Sequence, residues 1–132
     1  MAIIATYGSL RPGHYNYERF FNANNHEVLA DNVILPDYAL YSLGPYPAII
    51  EDTTSSVVVT LIEVKDIRDE STIDDMERGA GYRAVILKEF NGFKNVKFYV
   101  YNNTDIEQCC VKVHDGNWTN FVKQQHESNH TK

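Results

Sequence analysis

Apolar and polar positions along this chain switch between two periods, and the switches mark out its elements. Residues 2–6 form a short β-branched and apolar run that predicts a strand. Directly after it, two glycines and a proline in Tyr7-Gly8-Ser9-Leu10-Arg11-Pro12-Gly13 interrupt any regular element and predict a tight loop. Over residues 15–24 the aromatics Tyr17, Phe20 and Phe21 recur at i, i+3 and i+4, the single apolar stripe of a short helix. Residues 28–35 and 38–43 read as strands split by Pro36-Asp37. Gly44-Pro45-Tyr46-Pro47 reads as a stiff turn, because each proline fixes its own φ and pushes the residue before it toward extended geometry.

Residues 57–64 are nearly continuous in β-branched and apolar side chains, the pattern of a strand buried on both faces. A short helix is predicted over residues 71–77, with Ser71 as cap, Asp74 three residues on, and Ile73 and Met76 on one side. Arg78-Gly79-Ala80-Gly81 ends it. Residues 83–90 and 96–101 are predicted strands around Asn91-Gly92, a hairpin signal within a connection longer than two residues. A last strand over residues 109–113 and a helix over residues 118–125, capped by Asp115 or Asn117, precede a polar tail at residues 126–132. Seven short strands mixed with two or three short helices, without regular alternation, predict an α+β fold on a strongly bent or partly closed barrel sheet, since closure removes unpaired edges. No repeat or linker breaks residues 1–125, which are expected to form one domain.

Composition narrows the functional classes. A chain of 132 residues that is 43% apolar and 12% aromatic can fill one core, which excludes wholesale disorder. No apolar run approaches the roughly 20 residues of a spanning helix, and the first residues carry neither a basic start nor a signal-length apolar stretch. The two cysteines, Cys109 and Cys110, are adjacent, point to opposite faces if on a strand, and are expected as free thiols. These features predict a cytoplasmic protein, in which the sequons at Asn102, Asn117 and Asn129 are coincidental. Eighteen acidic residues against 12 Lys and Arg leave a net charge of −6, which argues against capture of nucleic acid or an anionic membrane.

Few residues then remain to carry chemistry. The loop of Tyr7, Gly8, Ser9 and Leu10 sits where a chain reversal aims successive N–H groups into one concavity that accepts carboxylate or phosphate oxygens. It lacks the glycine spacing and lysine of nucleotide-binding loops, and Ser9 lacks the flanks of a nucleophile elbow. Asp74 and Asp75 read as solvated helix carboxylates. Glu77 differs, because it lies where the helix stops and can turn inward, where burial raises its proton affinity toward that of a general acid-base group. His126 and His130 are spaced i, i+4 but sit in polar surroundings with no third ligand, so no metal is expected. Tyr7, Tyr46 and Tyr82 fall in the same loops as these candidates.

Tyr7-Gly8-Ser9-Leu10-Arg11 after a first strand, Leu40-Tyr41-Ser42-Leu43-Gly44-Pro45-Tyr46-Pro47-Ala48, Ile73-Asp74-Asp75-Met76-Glu77, Tyr82-Arg83 and Phe98-Tyr99-Val100-Tyr101 resemble, in order and spacing, the gamma-glutamylcyclotransferase-like superfamily. Gly116-Asn117-Trp118 also resembles the carboxyl end of its small bacterial members. The resemblance implies an α+β fold around a small, partly closed barrel, and a small-molecule γ-glutamyl substrate. It further implies a loop matching Tyr7 to Leu10 that binds the substrate α-carboxylate, and a glutamate matching Glu77 as acid-base residue. The implied reaction is cyclisation of the γ-glutamyl group to 5-oxoproline with release of an amine or amino acid, without a cofactor. Tyr46 and Tyr82 join the expected substrate-binding residues, Tyr82 as a donor to the reacting carbonyl or to Glu77. Two positions depart from the family pattern: Thr60-Leu61 replaces a common Gly-Glu, and Arg78 replaces the glycine after the glutamate. Arg78 either pairs with Glu77 and lowers its proton affinity or projects outward. Alternatives on the same fold are a non-catalytic module binding a glutamyl ligand or a protein, and a hydrolase of another amide or ester.

Overall fold

A computed structural model describes residues 2–22 and 24–130, with residues 126–130 given by their backbone. Its elements in chain order are β1 (Ala2–Thr6), α1 (Tyr15–Phe20), β2 (His26–Ser42), β3 (Pro47–Val64), α2 (Ile67–Gly79), β4 (Tyr82–Phe90), β5 (Phe93–Tyr101), α3 (Ile106–Cys109), β6 (Val111–Val113) and α4 (Trp118–His130). The strands make one mixed six-stranded sheet in the order β4-β5-β1-β3-β2-β6, curled into a half-barrel. β1 lies in its middle, antiparallel to β3 and parallel to β5, with Ile3 opposite Val96. The α+β class and bent sheet expected from the sequence are what the structure has.

Seven expected strands become six because residues 28–35 and 38–43 run on as the single strand β2, while β3 begins at Pro47, well before the expected residue 57. Pro36-Asp37 does not end β2: Asp37 takes a φ of 73°, the register slips between Pro36 and Tyr38, and pairing resumes at Glu51. A bulge therefore bends the strand where a break was expected. The Gly44–Tyr46 turn is as predicted, closed by the Leu43 amide donating to the Tyr46 carbonyl at 2.8 Å. The β4–β5 connection is shorter than expected. Asn91 at φ 53° and Gly92 at φ 82° make a two-residue turn with both positions left-handed, the geometry whose twist matches a hairpin.

The helices shift more. α1 stops at Phe20, since Phe21 is already extended. α2 begins at Ile67, not residue 71, capped by Asp66, whose carboxylate accepts the Arg68 amide at 2.8 Å; Ile67 is exposed and gives no apolar stripe to announce the start. The expected strand over residues 109–113 is shortened by α3, whose last residue is Cys109. Cys109 and Cys110 are free thiols with sulfurs 3.3 Å apart. Asn117 caps α4, accepting the Asn120 amide at 3.2 Å, while Asp115 accepts the amide of Asn117 itself. The backbone of α4 runs to His130; the side chains from residue 126, on which the expected tail and the His126–His130 pair fall, lie outside the described residues. No described helix is long and apolar enough to cross a membrane.

Period-2 alternation sends successive residues of the central strands into two cores. Val57, Val59 and Leu61 of β3 join Val96, Phe98 and Val100 of β5 and Trp118 in one. Ile62, Val64, Ile73 of α2, Tyr82 and Tyr99 belong to the other. Gly116 ties the carboxyl segment down: its carbonyl accepts the Val58 amide at 2.8 Å, its φ is +67°, and a Cβ there would meet the Ser56 carbonyl oxygen at 2.1 Å. A cavity opens beside the second core, whose Leu10, Tyr82 and Tyr99 line it.

Candidate active site

The loop after β1 is folded by its own short hydrogen bonds. The Arg11 amide donates to the Gly8 carbonyl at 2.9 Å, the Tyr17 amide to the Ser9 carbonyl at 2.9 Å, and Asn16 Nδ2 to Ser9 Oγ at 2.7 Å, which fastens the loop to α1. Gly8 lies flat against the β2–β3 turn: a Cβ would stand 2.5 Å from Pro47 Cγ, inside contact distance of a rigid ring. Among the described residues no acceptor is found for the N–H groups of Gly8, Ser9 or Leu10, so three neighbouring donors remain for an anion.

Between this loop, the β2–β3 turn, the end of α2, and β4 and β5 lies a cavity of about 340 Å³. Tyr7, Gly8, Ser9, Leu10, Tyr46, Glu77 and Tyr82 all line it. Residues from separate stretches of the sequence thus converge on one space. Tyr46 stands at its rim, 55% exposed, whereas Tyr7, Leu10 and Tyr82 are buried.

Glu77 is partly buried, and no hydrogen bond or ion pair reaches its carboxyl among the described residues. Burial, with a smaller push from the negative Asp74, raises its pKa from 4.5 to about 7. Asp74, one helical turn earlier, is partnered where Glu77 is not. Burial works against its charge, but hydrogen bonds from Lys97 and Tyr99 outweigh that and hold its carboxyl below the ordinary value. Lys97 Nζ stands 2.8 Å from Asp74 Oδ1 and 2.5 Å from Glu70 Oε2, and Tyr99 Oη donates to Asp74 at 2.5 Å. The solvated Asp74 read from the sequence is therefore corrected, because Lys97 reaches it from β5. Asp75 is exposed as expected and takes Arg78, at 3.7 Å, away from Glu77. Of the two readings of Arg78, the outward one holds.

The buried tyrosines Tyr7 and Tyr82 are already engaged. Tyr82 Oη donates to the Pro47 carbonyl at 2.6 Å, and Tyr7 Oη to the Tyr99 carbonyl at 2.8 Å. Burial raises both phenol pKa values, with Glu77 contributing to each. The expected donation from Tyr82 to Glu77 is thus not made; its proton serves the backbone of the turn that packs on Gly8. Thr60 lies opposite Thr6 and outside the cavity, so that departure belongs to the support behind the loop. Its hydroxyl donates to Asp31 at 2.6 Å and accepts from Arg11 Nε at 3.0 Å. Arg11 is only 5% exposed and also reaches Asn117 and Asn32.

Sequence reasoning missed Tyr99, Asn16 and Arg19, which also line the cavity. Tyr99 sits in an apolar strand where alternation alone gives its face, and Asn16 and Arg19 share a face of α1 at i, i+3. No group of three or more metal-ligating side chains lies together among the described residues.

A family model described as "Gamma-glutamyl cyclotransferase, AIG2-like" matches residues 4–120. Among solved structures the chain is similar to PH0828, an uncharacterized protein from Pyrococcus horikoshii, at 20% identity and a TM-score of 0.76 over 96% of this chain and 98% of that one. It is also similar to protein ytfP from Escherichia coli, at 25% identity and a TM-score of 0.68 over 88% of this chain and 95% of that one. No curated protein matches the chain.

Proposed function

From the premise that this chain belongs to the AIG2-like gamma-glutamyl cyclotransferase family, we propose that it releases 5-oxoproline and an amine or amino acid from a small γ-glutamyl compound, with Glu77 as general acid and base. The observation that supports this most is the pairing of one unengaged carboxyl, with a pKa near 7, and three unengaged N–H groups on a single cavity.

The chemistry follows from that pairing. The N–H groups of Gly8, Ser9 and Leu10 hold the substrate α-carboxylate, which fixes the glutamyl chain so that its α-amine approaches its own side-chain carbonyl. Nucleophile and electrophile belong to one molecule, so holding the near-attack geometry supplies much of the acceleration. The carboxylate of Glu77 takes a proton from the attacking nitrogen as the ring C–N bond forms, and the resulting carboxylic acid gives it to the leaving nitrogen as the amide C–N bond breaks. Atoms balance without water and without a cofactor. Tyr7 and Tyr82 hold the walls in place, and Tyr46 at the rim meets the departing amine. The proposed setting is the cytoplasm.

The test is to incubate the protein with a panel of γ-glutamyl amines and amino acids and to assay 5-oxoproline. Its formation by the wild type, and its loss in a folded Glu77→Gln variant, is the expected result. Free glutamate in its place would make the protein a hydrolase. Binding without turnover, equal in both proteins, would make it a glutamyl-binding module.

A further inference from the structure

Helix α2 carries three carboxylates on one face, Glu70, Asp74 and Glu77, with buried Ile73 among them. β5 meets that face with one cation. Lys97 is 7% exposed and takes the first two acids, while Tyr99, two residues on and on the same side of the strand, takes Asp74 as well. The third acid is left to the cavity. With Glu70, Asp74 and Lys97 charged, this cluster already holds one negative charge in excess before Glu77 ionises, in a place where salt screens weakly. The other groups around Glu77 are the phenols of Tyr7 from the first loop, Tyr82 from β4 and Tyr99 from β5. Arg19 of α1 lines the same cavity, and Arg78 is engaged with Asp75.

We propose that Asp74 and Lys97 are positioning residues for Glu77: together they lock α2 onto β5 in the register that brings Glu77 to the cavity, and their opposed charges set how tightly that carboxyl holds its proton. The inference rests on the acid-base reading of Glu77 for its consequence, though not for its measurement. A plain structural lock would leave the Glu77 proton indifferent to the sign of the charge removed. An electrostatic one would not.

The experiment is a carbon-13 NMR titration of side-chain carboxyls in the full chain, with the Glu77 resonance assigned by its loss in Glu77→Gln. Asp74→Asn removes a negative neighbour and is expected to lower the Glu77 midpoint by on the order of one pH unit. Lys97→Gln removes the compensating cation and is expected to raise it. The double variant, which removes one charge of each sign, is expected to titrate close to wild type, and the pH-rate profile of 5-oxoproline formation should follow the same displacements. Should Lys97→Gln fail to fold, Asp74→Asn and the double variant decide the matter. An unmoved midpoint in folded Asp74→Asn, or shifts of the same sign in both single variants, would overturn the proposal. Absence of any 5-oxoproline would instead sink the enzyme reading and leave the titration to judge the coupling by itself.

Discussion

Arg11 and Glu77 are both ionisable side chains drawn toward the interior of one sheet, and the fold treats them in opposite ways. Arg11 spends its guanidinium on Thr60, Asn117, Asp31 and Asn32, from three separate stretches of the chain. Glu77 has no such partner among the described residues and faces open space. A buried charge that is fully hydrogen-bonded is joinery, and removing one member leaves the others stranded. A carboxyl held in low hydration without partners is destabilising once ionised, and here it shares its cavity with donors that are equally unengaged.

The largest effect that tests this contrast is catalytic. Glu77→Gln is expected to reduce 5-oxoproline formation by about 10²–10⁴-fold, the usual worth of a positioned acid-base group. The same change should stabilise the fold at high pH. The folded-state pKa of about 7 lies above the ordinary 4.5, so the folded protein binds more protons between those values. Any stability dependent on the protonated form is therefore full below pH 4.5 and lost as pH rises through 7, with a penalty of up to roughly 3 kcal/mol beyond it. Melting curves of variant and wild type should converge near pH 4 and separate near pH 8, with the variant the more stable.

Arg11→Met should behave in the reverse sense, with stability falling by about 2–3 kcal/mol in a denaturant titration, since Thr60 loses a buried partner while half-exposed Asp31 recovers water. The Glu77 midpoint should stay where it was. Gly8→Ala forces the Pro47 ring and the loop apart, and should cost about 1–3 kcal/mol. Because that movement reaches the N–H groups proposed to hold the substrate carboxylate, KM should rise more than kcat falls in steady-state assays. Arg78→Ala ends the series. Its contact with Asp75 is solvent-exposed on both sides, so stability should change by less than about 0.5 kcal/mol and turnover not at all. A marked rate change would show that Arg78 reaches Glu77 in solution.

The parts of this site that could be read from the sequence are those written in local chemistry. A strand followed by glycines announces a loop with free amides, and a glutamate at the end of a helix beside a glycine-flanked bend announces a carboxyl that can turn inward. Asp74 looked like any solvated acid because its partner, Lys97, is more than twenty residues away on a strand whose pairing with β1 is parallel and non-local. Pro36-Asp37 carried the ordinary signal of a strand end, and only the long partner strand β3 turns it into a bulge. The early start of α2 was hidden for a related reason: its first turn faces water, and its cap, Asp66, is one acid among many. Fold class and loop chemistry are local or compositional properties, whereas charge pairing across the sheet is a property of topology.

The central position of β1 has a temporal consequence. β1 can pair with its parallel neighbour only when residues 96 and 97 have been made. The amides of Gly8 to Leu10 and the carboxyl of Glu77 therefore share a complete chamber only once β5 is in place. A copy halted before β5 lacks Tyr99, one wall of that chamber.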